Sequence, residues 1–284
     1  MERIGVVGCG LMGSGIAEVA ARAGADVIVV ERDAAALAAG QSRIEKSLSR
    51  AVASGKLAED VANRARGNLM FTEDFAMLAD RELVIEADAE DEDTKIEVFK
   101  KLDAIVEAPD AILATNTSSI PIIKLAMATA RPEQVIGMHF FNPVPVLKLV
   151  EVISSLLTSA DTTSRVREYA TGSLAKQVIS AKDRAGFVVN ALLIPYLLSS
   201  IRMLESGFAS AEDIDSGMVL GCAHPLGPLA LTDLIGLDTT LAVAESLYEE
   251  FKEPHFAPPP LLSRMTQAGL LGRKSGQGFY SYKS

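Results

Sequence analysis

Through the first half of the chain, short runs of β-branched and aliphatic residues alternate with longer stretches of helical periodicity. That is the pattern of βαβ units on a mostly parallel sheet. The runs place strands at 3–7, 26–31, 69–72, 83–87, 111–115 and 135–139. A further strand at 146–153 follows the breaker Asn142-Pro143-Val144-Pro145, and a short last one falls at 177–181. Helices occupy 14–23, 34–54, 93–106 and 161–176. After Asp183-Arg184-Ala185-Gly186 no strand of convincing length recurs, and helical stretches such as 187–206 and 229–251 take over, so a domain boundary is expected near residue 185. The tail, with Pro258-Pro259-Pro260, Gly272, Gly276 and Gly278, reads as a loop and short helix that packs Phe279 and Tyr280 back onto the body.

The first strand closes on Gly8-Cys9-Gly10-Leu11-Met12-Gly13, a G-x-G-x-x-G that opens a helix. In that context the glycines permit a tight turn, close approach of backbone to a pyrophosphate and close helix–strand packing, while the helix start offers N–H groups to an anion. Gly8, Gly10, Leu11, Met12 and Gly13 are therefore candidate cofactor contacts. The second strand ends in Glu31, 18 positions beyond Gly13, near the roughly 20-residue offset at which an acid hydrogen-bonds the adenosine ribose. A carboxylate there repels the 2′-phosphate of NADP, so NAD is the expected cofactor; Arg32 keeps NADP as the minority reading. Pattern and turn together predict a Rossmann-type doubly wound, mostly parallel sheet over residues 1–185, followed by an all-helical domain over 186–284. Cys9 reads as a small residue filling the turn.

Several polar residues stand where apolar ones are expected. Period two puts Glu151 on the face of Leu147, Leu149 and Ile153, and a carboxylate on an apolar face needs a partner. His139 ends its strand, and ligands of open α/β sheets bind outside the carboxyl ends of strands. Twelve residues separate the two, enough for strand ends to approach, and a His held by a carboxylate is the usual general acid/base arrangement. Singly, each has a bland reading, a structural histidine or a solvated edge glutamate. Asn190 shares a helical stripe with Ile194, Leu197 and Ile201, either for an interhelical hydrogen bond or to reach substrate. Ser118 follows a strand end, as a site residue or as a cap before Ile120-Pro121. Glu90-Asp91-Glu92-Asp93 fits an acidic first helical turn. His224 and His255 read as loop residues, and no cluster has metal-ligand spacing, so no metal is expected.

Composition narrows the partners. The chain has 284 residues, 49% hydrophobic, and a net charge of −10, which excludes a polyanion-binding surface for nucleic acid or anionic lipid. Against that sign, Arg43, Lys46, Arg50 and Lys56 with the single acid Glu45 make a local excess of +3 between residues 41 and 57. Arg43, Lys46 and Arg50 share one helix face, either merely solvated or a site for the phosphates of an anion such as a coenzyme A thioester. Only Cys9 and Cys222 are present, which excludes a disulfide framework and suits a cytoplasmic location. The start, Met1-Glu2-Arg3 and then an apolar Gly-rich run, reads as fold rather than signal peptide. The long uncharged stretch 185–201 contains Asn190, Pro195, Ser199 and Ser200 and reads as a buried helix, not a membrane span.

Longer motifs carry a resemblance that runs over essentially the whole chain. Gly8 to Ala17, Ser118-Ser119, Gly137-Met138-His139-Phe140-Phe141-Asn142-Pro143-Val144-Pro145, Lys148-Leu149-Val150-Glu151, Gly186-Phe187-Val188-Val189-Asn190 and Gly272-Arg273-Lys274-Ser275-Gly276-Gln277-Gly278-Phe279-Tyr280 occur in this order. In them the sequence resembles the short-chain L-3-hydroxyacyl-CoA dehydrogenases, within these the bacterial 3-hydroxybutyryl-CoA dehydrogenases. The resemblance implies a helical second domain that mediates dimerisation or higher homo-oligomers, and an active site between the domains. It assigns His139 as catalytic base, Glu151 as its paired acid, and Ser118 and Asn190 as binding the substrate's reacting end. It assigns Glu90, Lys95, Ser118, Asn142 and Lys274 to the nicotinamide half of NAD, and Ser47 to coenzyme A. Two departures stand out: Ala191 replaces an Arg common in the family, and Ser54 stands near a family Lys that touches coenzyme A, leaving Arg50 or Lys56 as substitutes. The implied activity is reversible oxidation of short-chain (S)-3-hydroxyacyl-CoA, in fatty-acid or butyrate-type metabolism. A dehydrogenase of a free hydroxy or sugar acid, gulonate-like, and a non-catalytic, crystallin-like NAD-binding protein are the alternatives.

Overall fold

A computed structural model describes residues 1–282. Contacts divide it into two compact units, one running from Met1 to Arg184 and one from Ala185 onward. The first is built on an eight-stranded sheet in the order β3-β2-β1-β4-β5-β6-β7-β8. Strands β1 (Arg3–Val7), β2 (Asp26–Val30), β3 (Leu69–Thr72), β4 (Leu83–Glu86), β5 (Ile112–Thr115) and β6 (Val135–Phe140) are mutually parallel. β7 (Leu149–Ser154) turns antiparallel to β6, and β8 (Gln177–Lys182) runs parallel to β7. The central strands are near-continuous apolar runs because helices cover both faces of such a sheet. Ile4, Val6, Val27, Val29, Leu83, Ile85, Ile112 and Ala114 are fully buried in one core.

The helices of this unit are α1 (Leu11–Arg22), α2 (Ala34–Ala53), α3 (Glu59–Gly67), α4 (Glu92–Ile105), α5 (Ile122–Ala126) and α6 (Ala160–Glu168). Gly15 and Gly40 show how tightly they pack: a Cβ on Gly15 would lie 2.8 Å from that of Val144, and one on Gly40 would lie 2.6 Å from that of Cys9. The expected strand at 146–153 begins only at Leu149. The carbonyls of Val144 and Leu147 are taken by the buried Lys176 ammonium, at 2.5 and 2.7 Å, so the segment before Leu149 is a loop and Leu147 is exposed. The helix expected over 161–176 stops at Glu168 and continues as one π turn, Tyr169–Ser173, before Ala175 at φ +51° reverses the chain.

The second unit is helical: α7 (Val189–Glu205), α8 (Ala211–Cys222), α9 (Pro228–Ile235), α10 (Leu237–Phe251) and α11 (Pro260–Gln267). Its core joins Ile194, Leu197, Leu198 and Ile201 of α7 to Leu229, Leu237, Val243 and Leu247. The single helix expected over 229–251 is two, because Gly236 sits at φ +105°, a conformation that ends a helix. The tail does pack back: Phe279 and Tyr280 lie against this core. Two buried carboxylates hold it there. Asp233 accepts the N–H groups of Phe279 and Tyr280, both at 2.9 Å, and the Tyr282 hydroxyl at 3.0 Å. Asp215 caps α9 through the N–H groups of Leu229 and Ala230 and accepts the Tyr280 hydroxyl at 3.0 Å, which together with burial pushes that phenol well above its usual range. Asp233→Ala strands two backbone donors, so it should lower unfolding free energy by about 2–4 kcal/mol. Urea denaturation of the purified variant measures this.

Candidate active site

The carboxyl edge of the sheet begins with the glycine turn. Gly8 adopts φ +85°, and its Cβ would lie 2.8 Å from the Ala87 carbonyl oxygen; a Cβ on Gly13 would lie 1.9 Å from the Gly8 oxygen, whereas Gly10 has nothing within 4 Å. Two glycines thus permit contact of turn and helix, and the third leaves the mouth open. Side chains of Asp33, Asp91 and Ser159 cap α2, α4 and α6, but α1 starts at Gly10 with no side-chain cap. Its first N–H groups border a cavity of about 580 Å³ whose wall includes Leu11, Met12, Glu31, Arg32 and Arg43. This is an anion cradle with room for a dinucleotide.

Glu31 clamps the turn. One carboxylate oxygen accepts the Cys9 N–H at 2.7 Å and the other the Arg32 N–H at 3.1 Å. The Cys9 carbonyl accepts from Arg43 at 3.1 Å, so the backbone of this residue is held on both sides of its Cα, and Arg43 of the basic face serves the cradle. Arg32 pairs with Asp33 at 3.1 Å. The Cys9 thiol is pushed up to about 12 by burial and by Glu31, with Arg43 opposing, and is inert.

Farther along the edge, Glu86 closes β4. It accepts Lys95 Nζ at 2.6 Å, the Asp88 N–H at 2.7 Å and the Thr115 hydroxyl at 2.7 Å. Burial raises its pKa, against the opposing pull of Lys95 and these hydrogen bonds. Lys95 Nζ also donates to the Asp88 carbonyl at 3.2 Å and lies 3.6 Å from Glu90. The acidic run divides: Asp91 is the N-cap of α4, while Glu90 reaches the loop after β5. There one Glu90 oxygen accepts the Thr117 hydroxyl at 2.6 Å and the N–H groups of Ser118 and Ser119 at 2.8 and 3.0 Å. Burial raises the Glu90 pKa, but Lys95 and these bonds outweigh it and the net shift is downward. The local turn is closed by Thr117, which accepts the Ile120 N–H, and α5 is capped by Asp183, so capping is not the work of Ser118.

β6 carries His139 at its penultimate position, and antiparallel pairing sets Glu151 of β7 directly opposite. Cross-strand partners project on one face, and His139 Nδ1 lies 2.6 Å from Glu151 Oε2, with Glu151 fully buried. Toward an ionised carboxylate, which only accepts, Nδ1 is the donor of this contact and Nε2 is left for other partners. Phe141 lies against the imidazole, ring centroids 4.6 Å apart. Asn116 Oδ1 accepts the Phe140 N–H at 2.9 Å, tying the Ser118 loop to this strand end. Asn142 follows, exposed.

Ser47, half-buried on α2, hydrogen-bonds Glu18, a carboxylate whose pKa burial raises despite that bond and Arg22. Lys46, Arg50 and Lys56 are exposed. In the second unit, Asn190 stands half-buried in the first turn of α7, and Lys274 pairs with Asp238 at 2.5 Å. Among the described residues no His/Cys/Asp/Glu group could hold a metal, and no helix is long and apolar enough to cross a membrane. Glu86 and Asn116 are not singled out by the sequence, and Arg43, there one cation of the basic face, holds the glycine turn; Glu86 carries a signal akin to that of Glu151, a charge set in an apolar run.

A carboxylate-held imidazole on the same sheet edge as a dinucleotide cradle is equipment for moving a proton while a cofactor takes a hydride, and it puts the protein among the dinucleotide-dependent dehydrogenases. Residues 3–184 match the 3-hydroxyacyl-CoA dehydrogenase NAD binding domain and residues 186–282 the C-terminal domain of the same enzymes, and the chain belongs to this family. A 3-hydroxybutyryl-CoA dehydrogenase of Mycobacterium tuberculosis is 58% identical over 99% of both chains. Among solved structures, M. tuberculosis FadB2 superposes with a TM-score of 0.99 at 58% identity, covering 100% of this chain and 99% of the other. The (S)-3-hydroxybutyryl-CoA dehydrogenase PaaH1 of Ralstonia eutropha does so with a TM-score of 0.95 at 44% identity, with 100% of each chain covered.

Because the folded pKa of Glu90 lies below its ordinary 4.5, its bonds to the 117–119 loop stabilise the protein above that pH and are lost as pH falls through the lower, folded value. A thermal midpoint difference between wild type and Glu90→Gln should therefore be present at pH 7 and shrink in the acid range. A difference independent of pH would contradict the assignment.

Proposed function

We propose that the protein catalyses the reversible, NAD-dependent oxidation of short-chain (S)-3-hydroxyacyl-CoA to 3-ketoacyl-CoA, with 3-hydroxybutyryl-CoA and acetoacetyl-CoA as the substrate pair, in fatty-acid or butyrate-type metabolism. The observation that carries this reading is the 2.6 Å His139–Glu151 pair on the sheet edge that also bears the dinucleotide cradle. Relatives named 3-hydroxybutyryl-CoA dehydrogenase, similar along their whole length, supply the substrate. The turn from Gly8 to Gly13 holds the pyrophosphate, Glu31 the adenosine ribose, and the motif match gives Glu90, Lys95, Ser118, Asn142 and Lys274 to the nicotinamide half. Glu31 supports NAD over NADP.

In this reaction His139 Nε2 takes the proton of the substrate's 3-hydroxyl. Glu151, on Nδ1, orients the ring and stabilises the imidazolium that results; in the reducing direction the same imidazolium returns the proton. When bound, NAD supplies the acceptor for the hydride leaving C3. Ser118, on a loop pinned by Glu90, and Asn190 bind the reacting end of the substrate. Ser47, Arg50 and Lys56 take the coenzyme A portion. The second unit leaves Leu192, Phe208 and Leu220 exposed at 72%, 78% and 85%, which supports a homodimer formed through it. The free thiols at Cys9 and Cys222 support a cytoplasmic location.

His139→Gln should lower kcat for acetoacetyl-CoA reduction by about 10²–10⁴ with little change in KM, the range of a lost general acid. Near-normal turnover would defeat the assignment. In a panel with NADH and NADPH, acetoacetyl-CoA with NADH should be turned over at least tenfold better than free acetoacetate or the NADPH combination. Equal use of the free acid would favour a hydroxy-acid dehydrogenase, and NADH binding without turnover of any acyl-CoA a non-catalytic protein.

A further inference from the structure

The carboxyl edge contains a buried ion pair that the proton transfer above does not use. Glu86 is 0% exposed and Lys95, in the first turn of α4, is 1% exposed. They meet at 2.6 Å, with Glu90 3.6 Å beyond the ammonium. Two carboxylates and one ammonium leave a charge of −1, and since Glu86 takes the close contact, that charge resides on Glu90, about a third exposed beside Ser118. The strand order decides what it faces. With the adenosine end anchored at β1 and β2, a dinucleotide crossing the switch point between β1 and β4 lays its other half over the ends of β4 and β5, where Glu86, Glu90 and Ser118 lie. The nicotinamide ring there is cationic when oxidised and neutral when reduced, so a fixed net charge acts on one redox state only.

We propose that Glu86 is a positioning residue that sets the balance between oxidised and reduced cofactor: by cancelling Lys95 it leaves Glu90 uncompensated and weights the site toward NAD⁺. This rests on the NAD-dependent function proposed above. The Thr115 hydroxyl and Asp88 N–H, both donating to Glu86, fix the carboxylate against Lys95 and suit its ionised form. Lys95 thus lies between two acids at the end of the site given to the nicotinamide half.

The test measures dissociation constants of the full-length protein for NAD⁺, by calorimetry, and for NADH, by fluorescence. Glu86→Gln should raise the ratio Kd(NAD⁺)/Kd(NADH) about tenfold, equivalent to roughly 30 mV in the bound two-electron couple. Glu86→Asp, which retains the charge, should hold the ratio within about twofold of wild type even if both constants weaken. Equal weakening of both forms by Glu86→Gln, or as large a shift in Glu86→Asp, overturns the proposal. If Glu86→Gln does not fold, two other variants decide. The double variant Glu86→Gln/Lys95→Met removes both buried charges together and should leave the ratio unmoved; Glu90→Gln should raise it. A changed ratio in the double variant, or an unchanged one in Glu90→Gln, overturns the proposal. Wild-type protein that binds neither form would instead refute the NAD-dependent function beneath it.

Discussion

A carboxylate taken out of water must find a partner, and along the carboxyl edge of this sheet that requirement fixes the loops on which the chemistry stands. Glu151 is satisfied by His139, Glu86 by Lys95, Thr115 and Asp88, and Glu31 by the peptide of Cys9. Each bond ties a different connection to the strand ends. Glu31 closes the glycine turn onto β2, Glu86 draws the start of α4 to β4 and β5, and Glu90 passes the same constraint to the loop bearing Ser118. The sheet provides a rigid edge, and these partnered acids hold the loops of the candidate site on it.

The pairing of His139 with Glu151 depends on a reversal of direction. Strands β1 to β6 are parallel, and connections between parallel strands return to the far end of the sheet. A strand added in that sense would bring a residue so close in sequence to the opposite edge. Because β7 runs antiparallel to β6, a short loop returns the chain at once and sets the acid across from the imidazole. Lys176, just before β8, stabilises that return by donating to two of its carbonyls, and Gly15 of α1 packs beneath it. The dyad and the cofactor cradle are thereby joined through one packed connection.

Legibility in the sequence followed how local the cause was. Strand runs, the glycine turn and Glu31 could be read because period and spacing are local signals, and His139 with Glu151 because a charge on an apolar face demands an explanation. The start of β7 was misplaced by three residues, because nothing in Val146-Leu147-Lys148 reveals that a lysine nearly thirty positions on takes the carbonyls of that loop. The helix break at Gly236 was visible as a glycine within a helical pattern, yet only packing shows that the residue takes φ +105° there. Glu90 looked like the acid of a helix start, and its true partner is a loop 28 residues later, a contact that only the sheet creates.

The net charge of −10 would seem opposed to a phosphate-rich cofactor and substrate. The cradle answers by using little net charge at all: an uncapped helix start presents backbone N–H groups, and the nearest cations, Arg32 and Arg43, are engaged with Asp33 and the Cys9 carbonyl. Backbone dipoles bind an anion at close range and are screened beyond it. An acidic surface can therefore repel polyanions while the turn still receives a pyrophosphate. The same economy holds at the other end of the edge. There the Lys95 ammonium lies between the carboxylates of Glu86 and Glu90, and on the proposal above the single negative charge left over acts on one redox state of the cofactor only.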